Sequence, residues 1–293
     1  MKQKRRIPES ELIINTDGSA FHIHIRPEEL ADTVILVGDP GRVEMFKPLL
    51  ADIEMERSSR EFHSLTGYYN GKRITVLSTG IGTDNIDIVM TELDALANID
   101  FKTREEKEEH KTLTILRIGT CGSIQPDVPI GTFIFSDYSL GFDGMINWYA
   151  DRDKCSNPDM EKSLVAHMNW DAHLPAPYCI RASEELIARF ENYTTKGITI
   201  SAPGFYGPQG RVVRIPLAMP DMLERLESFK FGDYRILNFE MESSAVAAMS
   251  RHLGHNGGTV CCAIANRYLK NSDTQYHDFM EDLVKLALDR LTA

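Results

Sequence analysis

Short apolar runs alternate with amphipathic segments along most of the chain. Seven runs of five to seven residues are rich in β-branched and other apolar residues, which favour strands. They span residues 33–37, 74–78, 114–118, 132–136, 197–201, 235–239 and 259–265. Several of them are apolar almost throughout, as expected for strands that are covered on both faces of a sheet.

Between these runs, apolar residues recur every three or four positions, as they do in amphipathic helices. The pattern predicts helices over residues 41–51, 85–97, 219–229, 241–254 and 273–291. The charged run at residues 102–111 predicts a helix cap or a solvated surface excursion. Strands alternating with helices favour a single α/β domain with a central mixed β-sheet flanked by α-helices.

The overall charge narrows the classes of partner. The 293 residues are 42% hydrophobic and carry a formal net charge of -11, which argues against a general nucleic-acid or anionic-membrane surface. The basic start "MKQKRR" is not followed by the apolar core of a signal peptide. Five cysteines without a C-x-x-C pair suit a reducing compartment. We therefore expect a cytoplasmic protein that binds neither nucleic acid nor membrane.

Three predicted strand exits carry residues suited to a ligand, and ligands collect at strand exits in open α/β sheets. Gly38 and Arg42 belong to "VGDPGRV", which on its own favours a strand-to-helix turn with a surface arginine over a ligand site. The segment "STGIGTDN" at 78–85 lacks the third glycine of a dinucleotide fingerprint, but its amides can bind an anion. Arg117 interrupts an apolar strand, and such a charge is costly unless it is paired or binds a ligand.

A fourth segment, "LNFEMESSAV", places Glu240 and Glu242 on either side of Met241. In an extended chain both carboxylates point to one side, whereas in a helix they diverge. One interpretation is a helix start with acids favoured by the helix dipole. The other is a carboxylate that binds two vicinal sugar hydroxyls. Together with the arginines and glycines, the second interpretation indicates a sugar reaction that consumes phosphate or acts on a phosphorylated sugar.

In their order and spacing, these motifs resemble the nucleoside phosphorylases, and within them the uridine phosphorylase branch. The resemblance extends over most of the chain and rests on "FHIHI", "VGDPGRV", "REFHSLTGYYNGKRITVLSTGIG", "LRIGTCGSIQPDVPIGTFI", "APGFYGPQGR", "NFEMESSAV" and "AIANR". It implies a nucleoside phosphorylase-like fold over residues 21–293, preceded by an N-terminal extension at residues 1–20.

The implied reaction is phosphorolytic cleavage of uridine to uracil and ribose 1-phosphate in pyrimidine salvage and catabolism. Deoxyuridine and thymidine are further candidate substrates. The implied catalytic residues are Arg42, Arg117 and Glu242. The implied phosphate-binding residues are Gly38, Arg42, Arg60, Arg117 and Thr120, with Arg60 supplied by a neighbouring subunit. The implied ribose-binding residues are His22 of the neighbouring subunit, Met241 and Glu242, while Glu240 supports Glu242.

The resemblance also implies a base pocket. Phe205 would stack on the base, Gln209 would contact it through its amide, and Arg211 and Arg267 would reach its carbonyl oxygens. Arg211 aligns with either of two arginines of the branch, because "QGRVVR" compresses two motifs. The purine branch carries "SD" where this chain has Asn266 and Arg267, which speaks against a purine enzyme.

No cofactor is implied beyond phosphate as co-substrate, and no metal site is predicted. Some bacterial members bind a monovalent cation between subunits through the glutamate matching Glu61 and a serine that is Asn85 here. We expect a homo-oligomer, either a dimer or a hexamer, with shared active sites. Three alternatives remain open: a phosphorylase of other base specificity, a nucleosidase that uses water, and a non-catalytic nucleoside-binding protein.

Overall fold

The computed structural model describes residues 5–293; residues 1–4, which include most of the basic start, lie outside the described part. The strands are β1 Thr33–Val37, β2 Ala51–Ser59, β3 Phe62–Tyr69, β4 Lys72–Ser78, β5 Ile99–Asp100, β6 Glu105–Glu106, β7 Thr114–Ser123, β8 Phe133–Gly141, β9 Tyr178–Arg181, β10 Thr195–Ser201, β11 Lys230–Phe231, β12 Tyr234–Glu240, β13 Asn256–Asn266 and β14 Asn271–Ser272. The α-helices are α1 Pro40–Val43, α2 Thr83–Asn98, α3 Pro158–Met168, α4 Glu184–Phe190, α5 Met222–Ser228, α6 Ser243–Leu253 and α7 His277–Thr292.

The main sheet is mixed, in the order β11-β12-β10-β8-β13-β7-β1-β4-β3-β2. Its central strands β13, β7, β1 and β4 run parallel, and β10 runs parallel to β8 and β12. The β13–β8 and β12–β7 pairings are antiparallel, so the ends of β7 and β12 meet. The predicted central mixed sheet with flanking helices is confirmed.

Helices cover both faces of the sheet, as the alternation of side chains along β1 shows. Ile35 and Val37 join a buried cluster with side chains of α4 and α7. Val34 and Leu36 join a second cluster with side chains of α2 and α6. A third cluster packs α3 and α5 against β10 and β12. The apolar character of β1 therefore follows from its cover on both sides.

All seven predicted strands are present, and β7, β8 and β13 extend beyond the predicted ends. The helix predicted over residues 41–51 is wrong beyond Val43, since the chain continues there in turns and Pro48 provides no backbone N–H for a helix. The charged run at 102–111 is a surface excursion. The hairpin of β2 and β3 was not predicted, because most positions of β2 are exposed and show no apolar alternation.

The segment before β1 packs on the end of α2, where Leu12 joins Ala95 and Ile99 in a buried cluster. The amide of Ile7 donates to the carbonyl oxygen of Arg104 at 2.8 Å, and Ile14 forms an antiparallel bridge with Ala20. Within the described residues, the chain forms no helix with the length and apolar character needed to cross a membrane.

Candidate active site

Arg117 and Glu242 are in direct contact. Arg117 lies on β7 and is buried. Its Nη2 atom donates to a carboxylate oxygen of Glu242, and its Nη1 atom lies 3.2 Å from a carboxylate oxygen of Glu240. Burial alone would lower the pKa of Arg117, but the two negative charges outweigh burial and raise it. The charge that interrupts the strand is therefore paired with both glutamates.

The backbone is not helical at Glu240 and Glu242. Strand β12 ends at Glu240, and α6 begins at Ser243 with Glu242 as its N-cap at φ -144°. Both carboxylates reach Arg117, while Met241 between them is half-buried. Of the two geometries considered from the sequence, the one that brings the carboxylates to the same side is correct.

Glu240 holds the start of α6 in place. Its carboxylate accepts the backbone N–H groups of Glu242 at 2.8 Å and of Ser243 at 2.9 Å. It also accepts hydroxyl groups from Ser243 at 2.7 Å and from Ser201, at the end of β10, at 2.5 Å. Because these donors and Arg117 surround its carboxylate, Glu240 is suited to hold the neighbouring Glu242 in place.

Glu242 is anchored from the other side by the glycine-rich segment before α2. The backbone N–H of Gly82 donates to its Oε1 atom at 2.8 Å. The anion bound by this segment is therefore a carboxylate of the same chain. Burial raises the pKa of Glu242, Arg117 opposes that rise, and Glu240 adds to it, with a raised pKa as the net result.

Gly119 makes room for the guanidinium of Arg117, and Gly38 lies in ordinary contact with it. A Cβ atom at Gly119 would lie 2.2 Å from Nη1 of Arg117, a distance that forces a displacement. A Cβ atom at Gly38 would lie 4.0 Å from Nη2 of Arg117 and 3.5 Å from the carbonyl oxygen of Gly80. The structure thus brings Gly38, the end of β1, next to Arg117.

Arg42 and Thr120 lie near Cys262 on β13. Thr120 is paired in register with Cys262, and it is three residues from Arg117, so the two side chains leave β7 on opposite faces. Burial raises the pKa of Cys262 to about 12, and the charge of the half-buried Arg42 opposes that rise. These two predicted phosphate ligands therefore approach the strand end from the side opposite to Arg117.

The four predicted base-binding residues form one cluster. The Cζ atom of Arg211 lies 3.8 Å from the ring centroid of Phe205, and its Nη1 donates to Oε1 of Gln209 at 2.5 Å. Arg267 donates to the backbone oxygen of Gln209 at 2.9 Å. Gln209 is buried, whereas 51% of Phe205 is exposed. The cluster adjoins β7, because a Cβ atom at Gly122 would touch both arginines.

The two arginines of this cluster repel each other. Burial and the charge of Arg267 lower the pKa of Arg211 to about 10, and burial lowers the pKa of Arg267. Asn266 next to it is structural, since its side chain donates to the carbonyl oxygens of Gln125 and Val128. Gln209 thus meets two positively charged groups: Arg211 at its side-chain oxygen and Arg267 at its backbone oxygen.

His22 and Arg60 share one surface region. Arg60 is exposed, at φ +53° in the turn between β2 and β3, and its Cζ lies 6.0 Å from the ring centroid of Phe21. His22 packs edge-on against Phe21, with ring centroids 4.7 Å apart, and its ring centroid lies 6.5 Å from that of Phe62. The two residues expected to serve a neighbouring subunit are therefore grouped around one aromatic side chain.

Glu61 and Asn85, the positions associated with a monovalent cation in relatives, face the same glycine. A Cβ atom at Gly80 would lie 2.5 Å from the amide nitrogen of Asn85 and 3.0 Å from Cγ of Glu61. The structure places the two side chains together, but it puts an amide where those relatives carry a hydroxyl.

Two other groups of side chains bring potential metal ligands within 4.8 Å of one another, namely Asp94 with His110 and His255, and Glu44 with Glu56 and His63. Nδ1 of His255 accepts the backbone N–H of Leu113 at 3.1 Å, so the proton of the neutral ring is on Nε2, which faces Asp94 at 3.2 Å. In the second group, the Lys47 ammonium already lies 2.9 Å from Glu56. The side chains of both groups therefore already have partners within the chain.

Sequence reasoning missed Ser201, Ser243 and Glu92, and it named the segment that contains Gly82 without the carboxylate to which Gly82 donates. Gly82, Ser201 and Ser243 hold the two glutamates, and Glu92 on α2 accepts from His22 at 2.6 Å. Glu92 occupies an inward position of an amphipathic helix, where a carboxylate is unusual, and that anomaly was the available signal.

Comparisons with known proteins show the family of this chain. A family model described as the phosphorylase superfamily matches residues 32–293. Uridine phosphorylase of Salmonella typhimurium is 30% identical over 259 residues, covering 85% of this chain and 87% of the relative. Uridine phosphorylase of Thermococcus kodakarensis is 29% identical over 257 residues, covering 86% of this chain and 79% of the relative.

Among solved structures, a Trypanosoma brucei nucleoside phosphorylase that shows uridine phosphorylase activity superposes with a TM-score of 0.84. The superposition has 29% sequence identity and covers 96% of this chain and 99% of that chain. Because the family match spans most of the chain, this protein belongs to the phosphorylase superfamily.

Proposed function

We propose that the protein cleaves uridine with inorganic phosphate, releasing uracil and ribose 1-phosphate. The observation that carries the proposal is the cluster of Gln209, Arg211 and Arg267 against β7, the strand that also carries Arg117. This arrangement supports a pyrimidine site and an anion site on one strand. The uridine phosphorylase relatives support the same substrate.

Arg117 and Glu242 would act at the reacting sugar. Phosphate bound by Arg117 attacks the anomeric carbon, the glycosidic bond breaks, and the sugar gains positive charge in the transition state. The phosphate faces that charge, and fixed charged groups stabilise it most where water is excluded. Glu242 would accept hydrogen bonds from the 2′ and 3′ hydroxyls, with Met241 packed against the ribose. Glu240 keeps the carboxylate of Glu242 in position.

The base leaves with negative charge, which donors at its carbonyl oxygens stabilise. Arg211 and Arg267 are such donors, and the lowered pKa of about 10 still leaves Arg211 charged at neutral pH. The Oε1 atom of Gln209 is held by Arg211, which leaves its amide N–H groups to meet the base. Phe205 would stack on the ring.

The rest of the phosphate cradle would consist of Gly38, Arg42 and Thr120, with Arg60 from a neighbouring subunit. Thr120 leaves β7 on the face opposite to Arg117, and Arg42 lies near Cys262, the register partner of Thr120. Arg60 is exposed and grouped with His22, as expected for residues that complete a neighbour's site. We therefore propose a homo-oligomer, at least a dimer.

We assign no cofactor, and phosphate is a co-substrate. We propose residues 21–293 as the catalytic domain and residues 1–20 as an extension. All five cysteines are free, which supports a cytoplasmic location. A nucleosidase or a binding protein would have no use for the cation-rich phosphate site.

The test is release of free base from uridine and from inosine, each with and without phosphate, followed by ultraviolet absorbance. We expect uracil only when phosphate is present, and a much slower reaction with inosine. Base release without phosphate would identify a nucleosidase, and preferred release of hypoxanthine would overturn the assignment of Gln209, Arg211 and Arg267. In Gln209→Ala, the loss should be greater for uridine than for inosine.

A further inference from the structure

Glu92 is a buried carboxylate whose hydrogen bonds all point toward the His22 segment. It lies on the inward face of α2, and 9% of its side chain is exposed. Its two oxygens accept the backbone N–H of His22 at 3.0 and 3.1 Å and that of Ile23 at 3.0 Å. The Nδ1 atom of His22 lies 2.6 Å from Oε1. One carboxylate thus fixes both the backbone and the ring of His22.

The contact determines which ring nitrogen of His22 carries the proton. An ionised carboxylate only accepts hydrogen bonds, so Nδ1 of His22 must be the donor. In the neutral ring, Nε2 is then an acceptor. The ring is 27% exposed, and Nε2 makes no hydrogen bond with any of residues 5–293. His22 therefore presents an acceptor nitrogen outward.

Aromatic side chains fix the direction of that nitrogen. Phe21 packs edge-on against His22, and Phe62 of β3 approaches it in the same manner. Arg60, in the turn before β3, lies over Phe21. Any displacement of His22 away from Glu92 would disturb the group that also positions Arg60.

We propose that Glu92 is a positioning residue for substrate recognition: it holds His22 with Nδ1 protonated, so that Nε2 accepts a hydrogen bond from the 5′-hydroxyl of the nucleoside. The inference rests on the proposed function, in which His22 reaches the 5′ end of the substrate in a neighbouring subunit. In this inference Nε2 of His22 is the acceptor. The enzyme should therefore prefer nucleosides whose free 5′-hydroxyl can donate a hydrogen bond.

The test compares kcat/KM for uridine with kcat/KM for 5′-O-methyluridine, which keeps the 5′ oxygen as an acceptor but lacks the donor. In Glu92→Gln, one amide oxygen replaces two acceptors, and keeping the backbone N–H groups bonded turns the amide NH₂ toward Nδ1. The ring would then take the other tautomer, with Nε2 protonated. We expect the preference for uridine to fall about 3- to 10-fold, the worth of one ordinary hydrogen bond. His22→Ala should lower it similarly, and the double variant no further.

Asp94→Asn is the matched control, because Asp94 is a carboxylate of the same helix that also contacts a histidine, His255. It should leave the preference unchanged. A second measurement uses the unaltered protein: nitrogen NMR of histidine-labelled enzyme, with His22 assigned through His22→Gln, should show Nδ1 protonated and Nε2 bare.

The inference would be overturned if the preference of Glu92→Gln stayed at the unsubstituted value, or if His22 of the unaltered protein carried a proton on Nε2. Either result can occur in an enzyme that still cleaves uridine with phosphate. Failure of the proposed function is distinct, because the unaltered protein would then release no uracil in the presence of phosphate.

Discussion

Arg117, in the first half of β7, forms a buried ion pair with Glu242, which follows the end of β12 by two residues. In the proposed reaction these are the residues that bind the two substrates, phosphate and ribose. Phosphate at Arg117 and the ribose hydroxyls at Glu242 therefore each compete with the Arg117–Glu242 ion pair. Phosphate at Arg117 weakens its hold on Glu242, which leaves that carboxylate freer to accept the ribose hydroxyls.

Removal of Arg117 should destabilise the fold as well as abolish activity. Arg117→Ala leaves the carboxylates of Glu240 and Glu242 buried without their cation, and we expect a loss of about 3–5 kcal/mol in the free energy of unfolding. Arg235→Ala is the control, since Arg235 pairs with the exposed Asp127 and its loss should cost about 0–1 kcal/mol. Urea unfolding measures both, and equal losses would contradict the role of Arg117 as a buried counter-charge.

The raised pKa of Glu242 predicts an activity loss on mild acidification. Ribose binding requires the ionised carboxylate, so kcat/KM should fall with decreasing pH while the solution is still above the usual titration range of a glutamate. The effect of acidification on folding stability has the opposite sign to its effect on activity. The folded protein holds this proton more tightly than the unfolded chain, so the Glu242 contribution to stability grows as pH falls through the folded pKa.

A pH profile of kcat/KM for uridine measures this effect, with unfolding midpoints recorded over the same pH range. Activity that persists down to the ordinary range of glutamate would show that Glu242 is not the titrating group or is not needed in its ionised form.

Gly119→Ala should weaken phosphate binding without removing any charged group. Its Cβ atom would lie 2.2 Å from Nη1 of Arg117, so the guanidinium must move. We expect KM for phosphate to rise about 10-fold or more, because displacement of a charge-assisted hydrogen bond costs about 1.5–3 kcal/mol. Gly122→Ala, on the same strand, places its Cβ at an ordinary 3.7 Å from Arg267 and should leave KM for phosphate unchanged. An equal rise in both variants would indicate a general defect of β7.

Shared active sites predict that two inactive variants restore each other. Arg60→Ala lacks the residue given to the neighbour, and Glu242→Ala lacks the residue that receives the ribose. In mixed oligomers some sites would contain neither substitution, so part of the activity should return. The measurement is kcat of co-expressed variants carrying two different affinity tags, purified through both. No activity in such verified mixed oligomers would argue for sites formed within one subunit.

Much of the fold was predictable because strand and helix periodicity is local. The exits at Gly38, Arg117 and Glu240 were recognisable since charged residues and glycines interrupt apolar runs. The contacts that complete the site were not predictable, because they join distant segments. Gly82 meets Glu242 across 160 residues, and Glu92 meets His22 across 70. The opposite faces taken by Thr120 and Arg117 follow from strand parity, but the sequence alone does not show which face meets Arg42.

The most direct test of the account is phosphorus NMR of the enzyme with uridine and inorganic phosphate, with uracil measured in the same sample. The account predicts that a sugar 1-phosphate resonance appears as inorganic phosphate disappears, in a one-to-one ratio to uracil. Uracil formed with free ribose and an unchanged phosphate signal, or no uracil, would contradict phosphorolysis at Arg117 and Glu242.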